Sequence, residues 1–69
     1  MMNLDDKIKK RMDRLQREME SNAHLTNKLE VMDVYYSVRK FWSRLNEEDR
    51  DYLQAVEYAL EKNMEWKLP

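Results

Sequence analysis

Not one glycine occurs in this chain, and its single proline is the last of the 69 residues. Tight β-hairpins and glycine-capped strand connections are built from residues with a positive φ, so their raw material is missing. With 39% of the residues charged, what remains is an all-α chain whose helices are punctuated by asparagine, serine and aspartate.

The helices can be read from apolar spacing. Val31, Val34, Tyr35, Val38, Phe41, Trp42 and Leu45 recur at intervals of three and four and wind into one wide apolar face. Asn46 then begins a new helix, because its side-chain oxygen can accept the free N–H groups of Glu48 or Asp49, and Glu47, Glu48 and Asp49 suit the positive end of the helix dipole. Leu53, Val56, Leu60 and Met64 form the stripe of that helix. Towards the N-terminus, Asn3, or Asp5 as a second choice, can cap a helix carrying Leu4, Ile8, Met12, Leu15 and Met19 on a thin stripe.

The stripes of residues 4–19 and 31–45 differ in direction by roughly a third of a turn at 100° per residue, so a break is predicted within Ser21 to Asn27. Asn27 and Glu30 are spaced as a capping box for the middle helix. The resulting expectation is one helical domain with helices over about 4–20, 27–45 and 47–64, the last two forming an antiparallel hairpin.

Length sets a further constraint. A chain this short buries only about 60% of the surface its unfolded form exposes. It has no cysteine for a disulfide and one histidine, too few ligands for a zinc site. Self-association, with a dimer favoured, is the remaining way to complete a small bundle. The middle helix suggests how: Leu25, Leu29, Met32 and Tyr36 form a second stripe opposite its main face, to be covered by the first helix or by another copy of the chain.

No constellation announces chemistry. His24 stands in a polar turn without a metal-binding or proton-relay partner and reads as a surface residue; the carboxylates at 47–51 read as helix-start charge rather than a calcium loop, which would need a glycine. The serines lack a base and an oxyanion site, so neither a catalytic residue nor a cofactor is assigned. No apolar run is long enough to span a bilayer and residues 1–10 lack the apolar core of a signal peptide, so a cytoplasmic protein is expected.

The remaining function classes involve surfaces. Tyr58 points away from its helix's stripe, and Trp66 lies in a tail, 63–69, expected to fray with Leu68; both are candidate exposed anchors for a protein partner, together with Leu25, Leu29, Met32 and Tyr36. The competing reading is nucleic-acid binding by the basic side of residues 7–17, with Lys7, Lys10, Arg11, Arg14 and Arg17. A structural assembly component is a third. Residues 1–20 hold six bases and five acids, so the nucleic-acid reading ranks below protein binding. The first helix is instead expected to orient against residues 46–69, where seven acids face three bases.

The segment FWSRLNEEDRDYLQAVEYALEKNMEW, residues 41–66, resembles the C-terminal part of short helical proteins of unassigned function carried by phages of marine cyanobacteria. The resemblance implies an accessory viral protein acting in an infected bacterial cytoplasm and transfers no site residue.

Overall fold

The computed structural model describes residues 3–66. Four α-helices follow in order, α1 (Leu4–Glu20), α2 (Ala23–Thr26), α3 (Lys28–Arg39) and α4 (Glu47–Lys62), with a 3₁₀ turn over Trp42–Arg44 between the last two. α1 opens as its sequence predicts: the Asn3 side chain accepts the Asp6 N–H at 2.9 Å. Asn46 does the same for Asp49 N–H at 2.7 Å at the start of α4. Each bond satisfies a backbone donor that the first helical turn leaves free.

Asparagine stands in for the missing glycines at the two positive-φ positions among the described residues. Asn22, after α1, and Asn63, after α4, have φ of 58° and 51°, a left-handed conformation that asparagine tolerates better than other residues with a side chain. At the second of these, Met64 N–H donates back to Ala59 C=O at 3.1 Å, closing the α4 C-terminus.

α3 is the central element. α1 runs antiparallel to it, with Arg14 meeting Glu30 at 3.2 Å and Arg11 reaching the Ser37 carbonyl at 3.2 Å. α4 is antiparallel to α3 on the other side, where the Tyr35 hydroxyl donates to the Glu57 carboxylate at 3.0 Å. Ile8, Met12, Leu15 and Met19 of α1, Val31, Val34, Tyr35 and Val38 of α3, Leu45, and Leu53, Val56, Ala59 and Leu60 of α4 form one buried core. Burial and the nearby Glu57 charge push the Tyr35 phenol up to about 12.

Four expectations are corrected. The middle helix does not reach Leu45 but ends at Arg39; Phe41 N–H turns to Val38 C=O, and the 3₁₀ turn carries the chain round to α4. A straight helix would have kept Leu45 on the α3 axis, whereas the turn swings it into the core. Second, α1 folds back onto the main face of α3, not onto the second stripe. Third, Met64 lies beyond α4 and is exposed rather than part of its stripe. Fourth, the Asn27 side-chain amide donates to the Glu30 carboxylate, but Asn27 makes no side-chain cap to the backbone and its own N–H goes to Ala23, so neither bond of the capping box forms.

Ion pairing does not orient α1 on α4. The two ion pairs among the described residues are Arg14 with Glu18 and Arg14 with Glu30, and neither reaches α4. Burial of the four α1 apolar side chains, each contributing about 1.5–3 kcal/mol, outweighs an exposed pair at about 0–1 kcal/mol.

Candidate interaction surface

Because α1 and α4 share the main face of α3, the second stripe stays uncovered. Leu29 is 80% exposed and Tyr36, two turns further along the same face, 57%; Leu25 in α2 is 38% exposed. Met32, between Leu29 and Tyr36, is half-buried against the core. The Tyr36 ring is braced edge-on against Tyr35, with centroids 5.1 Å apart. Leucine gains nothing from water, so a leucine this exposed beside a fixed tyrosine is the sort of apolar surface that association removes.

Next to this stripe a cleft of about 120 Å³ opens between α3 and α4. Met32, Tyr35, Tyr36 and Leu60 supply its apolar lining, with Lys28 at one rim and Glu57 and Glu61 at the other. It brings Met32 and Tyr36 together and leaves Leu25 and Leu29 on the open face beside it. Tyr58 is 56% exposed on α4 and lines neither feature.

Trp66 is not an exposed anchor. It is half-buried, packs edge-on against Tyr52 with centroids 5.3 Å apart, and donates its backbone N–H to Asn22 Oδ1 at 3.3 Å. The tail is therefore held at least through Trp66, while Leu68 lies outside the described residues. Burial and the Glu20 carboxylate push the Tyr52 phenol up to about 12.

His24 is the clearest departure from the sequence expectation: it is fully buried. Its Nε2–H donates to the Met64 carbonyl, which can only accept, so the ring proton sits on Nε2. Nδ1 is buried without a partner among the described residues. His24 and Asn22 thus fasten the chain beyond α4 to the α1–α3 connection. The positive φ at Asn22 is the only local sign of this, since asparagine at a helix end is a known left-handed position.

Chemically this assembly offers packing surface and backbone anchoring. No group of three or more His, Cys, Asp or Glu side chains among the described residues is placed to hold a metal ion, and no helix among them is long and apolar enough to cross a membrane. Comparisons with protein-family models, with curated proteins and with solved structures give no match.

Proposed function

We propose that this chain is a non-enzymatic protein–protein interaction module whose first partner is a second copy of itself, docked through Leu25, Leu29, Met32 and Tyr36. The observation that carries the reading is Leu29, 80% exposed on the same helix face as Tyr36. A copy of the chain suits this face because its rim carries both signs of charge. In a two-fold arrangement Lys28 of one protomer approaches Glu57 and Glu61 of the other, and the reverse contact forms by symmetry. The shortage of core in so small a chain supplies the driving force.

Tyr58, exposed on α4 and outside the lining of the cleft, is left for a further protein partner. With the resemblance of residues 41–66 to phage proteins, the reading extends to a viral accessory adaptor acting in an infected bacterial cytoplasm. Cysteine-free sequence makes the pairing easy to test. Leu29→Cys treated with a short bismaleimide should give a covalent dimer in high yield, whereas Tyr58→Cys should not. Equal yields from both positions would reject the assigned face.

A further inference from the structure

Cations gather at the end of the bundle where α3 gives way to the 3₁₀ turn. The Arg11 guanidinium carbon lies 5.5 Å from the centroid of Phe41, with Lys40 Nζ 5.3 Å from the same ring. Arg39 stands 4.4 Å over Trp42, and Arg50 5.8 Å from it. Lys7 is one helical turn before Arg11 on the same side of α1. Neither ion pair among the described residues uses any of these side chains, because Arg14 makes both.

These cations divide by task. Arg11 donates at 3.2 Å to the Ser37 carbonyl, which Phe41 N–H passes over for Val38, and Arg50 donates to the carbonyls of Trp42 at 3.0 Å, which also accepts Leu45 N–H, and Ser43 at 3.2 Å. Arg39, Lys40 and Lys7 are exposed; Arg39 also stands near the Tyr35 hydroxyl that donates to Glu57. Carboxylates border the patch: Glu30 and Asp33 lie beyond Arg11, and Asp49 shares a groove with Arg44. The patch between them carries Lys7, Arg11, Arg39 and Lys40.

We infer that this corner binds single-stranded nucleic acid, with phosphates on Lys7, Lys40 and Arg11 and an unpaired base on the outer plane of the Arg39 guanidinium. The stacking surface is what separates this ligand from other anions. The Trp42 ring lies on one side of the Arg39 guanidinium, 4.4 Å from its carbon, and the arginine is exposed; unpaired bases stack on guanidinium planes as they do on aromatic rings. A duplex hides its base faces, and an acidic peptide such as polyglutamate has no aromatic ring to stack there. The nearly balanced charge of residues 1–20 does not bear on this site, because Arg39 and Lys40 come from α3 and the fold joins them to α1. The site does not depend on self-pairing.

Fluorescence anisotropy with a labelled oligothymidylate tests it, with inorganic polyphosphate and polyglutamate as competitors and far-UV circular dichroism to confirm folding. Affinity should fall on the order of twentyfold as salt rises from about 50 to about 200 mM, the slope for roughly three phosphates on a single strand. Arg39→Glu with Lys40→Glu should abolish binding, and Arg17→Glu, on an exposed part of α1 outside the patch, should leave it unchanged. Arg39→Lys keeps the charge and removes the plane, so it should weaken oligothymidylate several-fold while leaving polyphosphate competition unaltered. Absence of salt-dependent binding by the parent chain would overturn the inference. So would polyglutamate competing as well as the oligonucleotide, or Arg39→Lys binding oligothymidylate like the parent.

Discussion

The two ends of α3 are closed by opposite means. At its N-terminal end, the α1–α3 connection and the tail after α4 meet through the buried His24 imidazole, the Asn22 amide and the Trp66 ring, with His24 and Asn22 hydrogen-bonded to the tail backbone. At its C-terminal end, Arg11 and Arg50 reach over half-buried Phe41 and Trp42 to bind backbone carbonyls. The first closure is dry and depends on shape. The second is wet at its edge and depends on charge, which leaves cations free for a ligand. Buried neutral closures are sensitive to deletion and indifferent to salt, whereas exposed charged ones contribute less and respond to ionic strength.

The largest expected effect removes what both ends rest on. Val38, the residue before the last of α3, is fully buried in the core shared by α1, α3 and α4, so Val38→Asp places a charge with no partner there and should unfold the chain, with loss of most far-UV helicity. A cooperative melt near the parent's would mean that α3 presents a different face to the core.

Next come the ends themselves. His24→Ala deletes a fully buried ring and leaves the Met64 carbonyl without its donor, a loss of about 2–4 kcal/mol that urea melts should report equally in low and high salt. Arg50→Ala removes two bonds to carbonyls at the half-exposed corner and should cost about 1–2 kcal/mol. If the arginine substitution proves the more damaging, the contrast between the ends is reversed.

Alkaline pH gives a smaller effect on both flanks of α4. Tyr35 and Tyr52 hold their protons to about 12 in the folded chain against an ordinary value of 10.0. Below pH 10 both states are protonated and this contribution is intact. Between pH 10 and 12 the unfolded chain loses protons that the folded chain retains, so stability falls as pH rises. The loss should be about 1–2 kcal/mol per tyrosine, and Tyr35→Phe with Tyr52→Phe should flatten the melting-temperature profile over that range.

The apolar stripes and the asparagine caps were legible in the sequence because they are local. Ile8, Met12, Leu15 and Met19 announce their face by spacing alone, and Asn3 and Asn46 by position. What was not legible depends on residues far apart in the chain. His24 reads as a surface residue until Met64 returns beside it, and Trp66 as loose until it meets Tyr52 and Asn22. The end of α3 at Arg39 was hidden for a related reason: Phe41, Trp42 and Leu45 continue the helical spacing, and only the need to turn towards α4 breaks it. For the cationic corner, a signal was present in the run of Arg39, Lys40, Phe41 and Trp42, but Arg11 joins it only through the fold. Leu25, Leu29 and Tyr36 were legible as a stripe, and the structure adds that neither α1 nor α4 covers it.

Self-association through that stripe is the central claim, and sedimentation equilibrium over a wide concentration range tests it most directly. The parent chain should shift from the monomer mass of 8.6 kDa to twice that value with rising concentration, and Leu29→Asp should stay monomeric with unchanged helicity, since Leu29 is 80% exposed within one chain. A parent that remains a folded monomer throughout, or a Leu29→Asp variant that dimerises as the parent does, would contradict the account.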